Sequence, residues 1–517
     1  MKYPRLKGTL LLLVLSAVAT AQDVASFEKR VTVKKLANGL TVILCERPEA
    51  PVFSFFTLVD AGSSQDPMRS TGLAHMFEHM AFKGTDSIGT TNYAAEKPAL
   101  EKVEIAYAAY IKERDKSVGQ DPAKLQELEK TWKDAIAAAD KYVVPNEFGK
   151  IVEQNGGADM NASTSLDETA YHYSFPENRL ELWAYLESER FLHPVLREFY
   201  KERDVVKEER RMSVDSNPFG RLLEQFTEEA FAAHPYHRPT VGWISDLNHF
   251  SARDAQKFFD TYYIPSNMVV AVAGDVKPAQ ALPLLEKYFG RLPARPLPDE
   301  ATTTEPPQNS ERRVVLKEAS QPIYIEGYHR PDYRSKDDAV FDAISDLLSE
   351  GRTSRLYRAL VRDKKVASFS EGITGYPGVK YPHLFAFLAV PLPGHKPQEI
   401  GDAIHAEIER LKKEDISDDE LKMIKTRSKA NLIRGLADNE GLATQLATYE
   451  TRYRDWRELF RSVDRIEAVT KADIRRVANE VFVDTNRTVG VIENSRGGGG
   501  SAGDEQGNAP ADQGGAQ

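Results

Sequence analysis

The chain has 517 residues, of which 41% are hydrophobic and 28% are charged, and its formal net charge at pH 7 is −10. This length predicts roughly two to four domains with a large apolar core, and the acidic balance argues against nucleic acid as a partner. The single cysteine, Cys45, excludes an internal disulfide. We expect it to be a buried thiol because it lies in an apolar strand pattern.

The N-terminal segment is typical of a secretory signal peptide. Basic residues precede an apolar run over residues 9–18, and Ala19-Thr20-Ala21 matches the A-x-A cleavage pattern. We therefore expect cleavage after Ala21 to remove residues 1–21. The mature chain, without a membrane span, is then expected to be periplasmic or secreted. The alternative is an uncleaved N-terminal anchor helix, against which the short apolar run argues.

The next residues predict a domain over residues 22–290 in which strands and helices are interspersed. Apolar and polar residues alternate over residues 31–44 around Asn38-Gly39, which predicts a β-hairpin. Further strands are predicted over residues 52–59 and 267–273. Because hairpins rather than repeated strand–helix–strand units connect these strands, the pattern predicts an α+β fold.

An H-x-x-E-H motif, formed by His75, Glu78 and His79, follows the third predicted strand. In a helix the two histidines lie one turn apart on the same face, and Glu78 reaches that face as well. Zn²⁺ accepts imidazole ligands, and it lowers the pKa of water enough for a nearby glutamate to take the proton. The motif therefore predicts a metal hydrolase, with Glu78 as the base. The alternative is an amphipathic core helix that carries two histidines by chance.

A charged stretch over residues 201–211 offers a third ligand. If it is helical, Glu202 and Glu209 lie two turns apart and share a face. Glu208 is the rival for the third ligand, although the spacing from Glu202 favours Glu209. The alternative is a solvated helix, which is the usual meaning of such a charge run.

Residues 97–145 predict an insert between these two parts of the site. Two amphipathic stretches rich in Ala, Lys and Glu flank the segment 117–122, which indicates an antiparallel helical hairpin. Three interpretations stay open for it: a solvated decoration, a docking arm for a partner, or a gate over the substrate entrance.

The second half of the chain begins with a linker and then carries strand and helix patterns of its own. Residues 291–312 are rich in Pro, Thr and charge and indicate a linker. Strands and a helix over 337–348 follow within a domain expected at residues 313–494, and that helix carries no histidine. Residues 495–517, rich in Gly and Gln, predict a disordered tail.

Three motifs together resemble the pitrilysin/insulinase family of inverzincin metallopeptidases, which includes the mitochondrial processing peptidase. They are the inverted motif, the segment 156–164 (GGADMNAST) and the E-R-x-V-V-x-x-E pattern of residues 202–209. The resemblance covers nearly all of residues 30–490 and is to the two-domain, processing-peptidase-like members in bacteria. It implies two homologous α+β domains, each a mostly antiparallel sheet with helices packed on it, and metal in the first domain only.

The resemblance also implies the roles of individual residues. One Zn²⁺ per chain would be held by His75, His79 and Glu209, with Glu78 as the catalytic base. Glu202 would be the carboxylate that supports the ligands from behind. Asn161 and Ala162 would contact a peptide substrate that is bound in extended form.

The second half departs from the family pattern at one position. In the family, an Arg and, seven residues later, a Tyr grip the substrate carbonyl. The matching positions here are Arg362 and Phe369, and phenylalanine cannot donate a hydrogen bond to a developing oxyanion. This predicts a homo- or heterodimer in which a related subunit supplies the Arg/Tyr pair. The alternative is that Tyr376 or another donor of this chain takes the place of the missing Tyr.

The sequence thus predicts an exported zinc endopeptidase that cleaves short or unfolded polypeptides as the metal-bearing subunit of a dimer. The alternative is a non-catalytic peptide-binding or assembly subunit of a peptidase-like complex.

Overall fold

The computed structural model describes residues 27–300 and 303–495. The expected signal peptide, residues 1–21, and the expected tail beyond Ser495 lie outside the described residues. No helix in the described ranges is long and apolar enough to cross a membrane.

Two β-sheets organise the chain. The first has six strands: β1 (Val31–Lys35), β2 (Thr41–Glu46), β3 (Val52–Val59), β4 (Ala158–Thr164), β5 (Thr169–Pro176) and β6 (Met268–Gly274), in the order β1-β2-β6-β3-β5-β4. The second has five strands: β7 (Arg312–Glu318), β8 (Ile323–Arg330), β9 (Ala367–Tyr376), β10 (His383–Pro391) and β11 (Arg487–Asn494), in the order β7-β11-β8-β10-β9.

Helices surround both sheets. Those of the first half are α1 (Leu73–Met80), α2 (Tyr93–Arg114), α3 (Pro122–Ala139), α4 (Glu147–Gln154), α5 (Leu180–Leu192), α6 (Phe199–Arg210), α7 (Pro218–Ala230), α8 (Ile244–Leu247), α9 (Ala252–Tyr262) and α10 (Pro278–Phe289). Those of the second half are α11 (Asp338–Ser349), α12 (Pro397–Lys413), α13 (Asp418–Gly435), α14 (Asn439–Tyr453), α15 (Glu458–Ala468) and α16 (Lys471–Val481). Two π-helical turns extend over Arg211–Asp215 and Tyr357–Asp363.

The two sheets have the same topology once β1 is set aside. In each, the strands lie in the order first, fifth, second, fourth, third along the chain. The first and fifth strands pair in parallel, β2 with β6 and β7 with β11, and the other described pairs are antiparallel. The repeat confirms the predicted α+β fold of two homologous, mostly antiparallel sheets.

Local signals in the sequence explain the first sheet. Gly39 adopts a φ of 99°, which glycine tolerates without strain, and it closes the predicted hairpin between β1 and β2. Cys45 on β2 is fully buried, as expected. Strand β6 is buried along its whole length because it lies between β2 and β3.

The predicted insert is a helical hairpin made of α2 and α3. The side chain of Asp121 caps α3 by accepting hydrogen bonds from the backbone N–H groups of Ala123 and Lys124, and Pro122 occupies the first turn. Helix α2 begins at Tyr93, which lies before the predicted start of the insert at residue 97.

The inner side of this hairpin is fixed to α6. Tyr107 and Trp132 from the hairpin pack against Tyr200 of α6, with ring centroids 4.4 and 5.1 Å away. The buried Arg203 of α6 donates a hydrogen bond of 2.6 Å to the Tyr107 hydroxyl. The hairpin therefore braces the helix that carries Glu202.

Each half of the chain also contributes a helix to the sheet of the other half. Helix α7 packs on β7 and β11, and α14 packs on β3 and β6. The first contact includes the buried side chains Leu222, Phe226, Ile325 and Ile492. The second includes Leu58, Val269, Leu442 and Leu446. Between the halves, residues 291–300 and 303–311 carry no helix or strand. The predicted domain boundaries remain predictions, and the apolar packing crosses them.

Candidate active site

Helix α1, which carries the inverted motif, is fixed at its N-terminal end by a buried carboxylate. Asp66 accepts hydrogen bonds from the backbone N–H groups of Gly72 (2.7 Å) and Ala74 (2.9 Å), which are free donors at a helix start. Gly72 adopts a φ of 91°, and a Cβ at this position would lie 2.6 Å from the carbonyl oxygen of Val241. Only glycine therefore permits this close approach of the two backbones.

The structure brings together the three predicted ligands. Nε2 of His75 lies 3.5 Å from Oε1 of Glu209, and Nε2 of His79 lies 3.6 Å from Oε2 of the same carboxylate. One ligand atom from each residue falls within 4.8 Å of the others. Glu208, the rival third ligand, instead accepts hydrogen bonds of 2.8 and 2.6 Å from Arg211.

This geometry fits a zinc ion. A nitrogen and an oxygen that each lie about 2.0–2.1 Å from a tetrahedral metal are about 3.3 Å apart, and each histidine lies at a similar distance, 3.5 or 3.6 Å, from one of the two oxygens of Glu209. Burial lowers the pKa of His75 to about 3, so its ring is neutral and has a lone pair to donate. Two imidazoles and one carboxylate are a donor set typical of catalytic zinc sites.

Glu202 supports the site from behind. Nδ1 of His79 donates a hydrogen bond of 2.8 Å to Oε1 of Glu202, which leaves Nε2 of the ring directed at Glu209. Lys83 forms an ion pair of 2.6 Å with the other oxygen of Glu202. Burial alone would raise the pKa of Glu202, but the hydrogen bonds from His79 and Lys83 lower it to about 2. Glu202 is therefore a permanent carboxylate partner of His79.

Glu78 is held by a residue for which no role was predicted. The hydroxyl of Thr164 donates a hydrogen bond of 2.6 Å to Oε2 of Glu78. Burial raises the pKa of Glu78, and the hydrogen bond from Thr164 opposes the rise. No spacing rule could have indicated this contact, because the two residues are 86 positions apart in the chain.

Asn161 and Ala162 lie on β4, the edge strand of the first sheet. They pair with His172 and Tyr171 of β5, so the other edge of β4 has no partner strand among the described residues. Helix α1 contacts β4 directly. An open strand edge beside the candidate metal ligands can accept an extended peptide as an additional strand.

Arg362 and Phe369 belong to the second half of the chain, where Arg362 lies in the π-helical turn Tyr357–Asp363 and Phe369 lies on β9. The guanidinium of Arg362 donates hydrogen bonds of 2.6 and 3.0 Å to Asp363. Phe369 lies on β9, the edge strand of the second sheet, with 43% of its surface exposed. Within residues 27–300 and 303–495, no hydrogen bond or ion pair joins Arg362 to the candidate ligands.

Family comparisons agree with the fold and the motif. The family model described as "Insulinase (Peptidase family M16)" matches residues 41–114 and 136–242, and the one described as "Peptidase M16 inactive domain" matches residues 249–428. The chain belongs to the insulinase family, peptidase family M16. Helix α2 lies wholly within the first matched segment of the insulinase model, whereas most of α3 falls in the gap between its two matched segments.

Relatives within the M16 family cover nearly the whole chain. The zinc protease PqqE of Helicobacter pylori is 30% identical over 494 residues, which span 93% of this chain and 96% of the relative. The probable mitochondrial-processing peptidase subunit beta of Schizosaccharomyces pombe is 24% identical over 485 residues, which span 88% of this chain and 90% of the relative.

Solved structures of M16 proteins show the same architecture. A protease from Helicobacter pylori matches with a TM-score of 0.74 and 29% identity, over 90% of this chain and 99% of that chain. The first half of the periplasmic protease PqqL from Escherichia coli matches with a TM-score of 0.66 and 17% identity, over 90% and 92% of the two chains. The second likeness shows the fold alone.

Proposed function

We propose that this M16 protein is a zinc-dependent endopeptidase that hydrolyses peptide bonds in short or unfolded polypeptides. The observation that carries the proposal is that His75, His79 and Glu209 converge, with ligand atoms within 4.8 Å of one another. Glu78 lies on the same helix as the two histidines. The chemistry that zinc supplies at such a site is Lewis-acid activation of the peptide carbonyl and of water.

Three residues of the chain have separate roles in the proposed reaction. Glu78, whose pKa burial raises, takes a proton from the attacking water and can return it to the leaving amine. Thr164 fixes the orientation of the Glu78 carboxylate through its hydrogen bond of 2.6 Å. Glu202 holds the ring of His79 in the tautomer that leaves Nε2 available.

The unpaired edge of β4 supports the proposal that the substrate binds in extended form. Pairing along this edge uses backbone groups and so tolerates many side chains, while a folded protein cannot offer a free extended segment. Asn161 and Ala162 would lie alongside the bound peptide. This is the basis for proposing short or unfolded polypeptides as the substrate class.

We further propose an exported protein that works with a second, related subunit. The signal-like residues 1–21 support export. Phe369 supports the dimer, because it lacks the hydroxyl that the resemblance places at this position. In the proposed homo- or heterodimer, this chain supplies the metal site and a related subunit supplies the Arg/Tyr pair that grips the substrate carbonyl.

Glu78→Gln tests the catalytic assignment. The variant should lose peptide cleavage by roughly 10²–10⁴-fold while it still binds zinc and peptide, because glutamine keeps the size but cannot accept the proton. Glu208→Gln is the matched control, since Glu208 pairs with Arg211, and should retain cleavage. An unchanged rate in Glu78→Gln refutes the base assignment.

The second candidate function is a non-catalytic subunit that binds peptides or serves assembly, and Phe369 is the observation that favours it. Cleavage of an unfolded polypeptide is measured for the lone chain, for a Phe369→Tyr variant, and with a co-expressed related subunit that has the Arg/Tyr pair. Restoring one oxyanion donor should raise kcat by up to about 10²–10³-fold. Peptide binding without cleavage in all three samples would favour the non-catalytic function, and full activity of the lone chain would refute the need for a partner.

A further inference from the structure

The loop that joins β4 to β5, residues 165–168, is held by the second half of the chain. Asp167 in this loop is buried. Its Oδ2 accepts hydrogen bonds from the backbone N–H groups of Val379 (2.7 Å) and Lys380 (3.1 Å), which belong to the β9–β10 turn, residues 377–382. A buried carboxylate of the first half thus takes its backbone donors from the half that carries none of the candidate metal ligands.

Tyr236 completes the attachment of this turn. Its hydroxyl donates a hydrogen bond of 2.5 Å to Oδ1 of Asp167 and accepts one of 3.1 Å from the backbone N–H of Tyr381. Lys380 of the turn also forms an ion pair of 2.6 Å with Asp60, which follows β3. Because a buried carboxylate that loses its donors is left uncompensated at a high cost, we expect the turn and the loop to move together.

The β4–β5 loop follows directly on the residue that holds the candidate base. Thr164 is the last residue of β4, and its hydroxyl donates the hydrogen bond of 2.6 Å to Glu78. Asp167 lies three positions further along the chain. A shift of the loop would therefore reach the carboxylate of Glu78 through Thr164.

The same loop supports the segment that caps α1. The backbone carbonyl groups of residues 165 and 166 accept hydrogen bonds of 3.0 Å from the N–H groups of Ser63 and Ser64. Asp66, two residues later, accepts the N–H groups at the start of the helix that carries both candidate histidine ligands. The substrate strand and the metal-ligand helix are thus both anchored on the β4–β5 loop.

We propose that Asp167 is a positioning residue through which the β9–β10 turn of the second half fixes β4 and the base Glu78 for peptide hydrolysis. The second half serves the reaction of its own chain in this way, in addition to any contribution from a partner subunit. A misplacement of about 1 Å far from the chemistry can cost about 100-fold in rate, so loosening this attachment should slow cleavage. This inference rests on the proposed endopeptidase function.

Backbone hydrogen exchange tests the attachment without any need for activity. Asp167→Asn keeps the size of the side chain but offers one acceptor oxygen where the carboxylate offers two. In the full chain, the amides of β4 and of Ser63 and Ser64 should exchange roughly tenfold faster, the equivalent of one lost hydrogen bond. Glu318→Gln is the matched control and should leave them unchanged, because Arg221 of α7 donates a hydrogen bond of 2.8 Å to Glu318 of β7 in another charged contact between the halves.

Cleavage kinetics test the positioning role. With zinc at saturation, kcat for an unfolded polypeptide should fall by roughly tenfold in Asp167→Asn and stay at the wild-type value in Glu318→Gln. Because the effect passes through Thr164, Asp167→Asn should add little to the loss in Thr164→Val, whereas independent losses would multiply. Tyr236→Phe removes one donor and leaves the two backbone donors of Asp167, so it should show a smaller loss in the same pattern.

The contrary results are distinct. Unchanged exchange at β4 in both Asp167→Asn and Tyr236→Phe, or a wild-type kcat in both, overturns the positioning role while the endopeptidase function stands. Losses that multiply in the Thr164→Val background, or an equal loss in Glu318→Gln, overturn it as well. If zinc-loaded wild type cuts no peptide, alone or with a related subunit, the endopeptidase function fails and the positioning role fails with it, although faster exchange at β4 would still show that the turn holds the strand.

Discussion

The hydroxyl of Thr164 on β4 donates a hydrogen bond of 2.6 Å to the carboxylate of Glu78 on α1. The strand expected to bind the substrate is thereby tied to the residue expected to act as the base. Any displacement of β4 would also displace the carboxylate.

Thr164→Val should lower kcat with little change in KM, because valine keeps the shape but loses the donor. A hydrogen bond to a charged group is worth about 1.5–3 kcal/mol, so the expected loss is roughly tenfold to a hundredfold. Steady-state kinetics check this, and Thr164→Ser should recover most of the rate because it restores a hydroxyl. Equal activity of the Val and Ser variants would contradict the positioning role.

Glu202→Gln should weaken zinc binding by about 10–100-fold, because the amide is a weaker acceptor for the His79 N–H and loses the ion pair with Lys83. Competition with a chelator of known affinity measures the change. Glu208→Gln is again the matched control and should bind zinc like the wild type. Equal affinities in the two variants would show that Glu202 has no part in the metal site.

Zinc binding should saturate at one ion per chain and disappear in His75→Ala. A second group, Asp86, Glu189 and His193, also brings three ligand atoms within 4.8 Å, but Arg291 already forms an ion pair of 2.7 Å with Glu189. His193→Ala should therefore keep the stoichiometry of the wild type. Metal analysis after dialysis distinguishes the two sites, and loss of zinc in His193→Ala instead would assign the ion to the second group.

The free energy of unfolding should fall at alkaline pH through Cys45. Burial raises the pKa of this thiol to about 11, so the folded state holds the proton more tightly than the unfolded state. The stabilisation is present below the unfolded pKa and is lost as pH rises toward 11, by on the order of 2 kcal/mol. Urea unfolding between pH 8 and 11 should show a smaller fall for Cys45→Val. Identical pH slopes for the two proteins would exclude a contribution from Cys45.

Trp132→Ala should destabilise the protein and weaken zinc binding together, because Trp132 packs against Tyr200 on the helix that carries Glu202 and Glu209. Trp132 is partly buried, so we expect about 2–3 kcal/mol, at or below the low end of the range for aromatic deletions. Thermal unfolding and chelator competition measure the two effects. Ile105→Ala, at an exposed position of the same hairpin, should change neither stability nor zinc binding. A similar effect of both variants would show that the packing of Trp132 does not support α6.

The sequence predicted the parts of the fold that depend on short-range spacing. Asn38-Gly39 marked the first hairpin, and the order of residues in the inverted motif placed His75 and His79 on one face. The seven-residue step from Glu202 to Glu209 predicted the approach that the structure shows. In each case the period of a helix or the geometry of a tight turn determined the result.

Contacts between distant segments could not be predicted in the same way. Arg197 and Glu96 form a buried ion pair of 2.9 Å across 101 positions, and the capping of α1 by Asp66 depends on the tertiary path of a loop. The role of Phe369 stays a prediction, because the structure shows only that it lies on the edge strand β9 with 43% of its surface exposed.

The exchange of α7 and α14 between the two sheets limits how this molecule can move. Drawing the halves apart would expose the apolar face of each sheet to water, so they cannot act as the two shells of a chamber that opens and closes around a substrate. A cut in residues 303–311 should leave both fragments bound to each other under native conditions. A peptide therefore has to reach the candidate site without separation of the two halves.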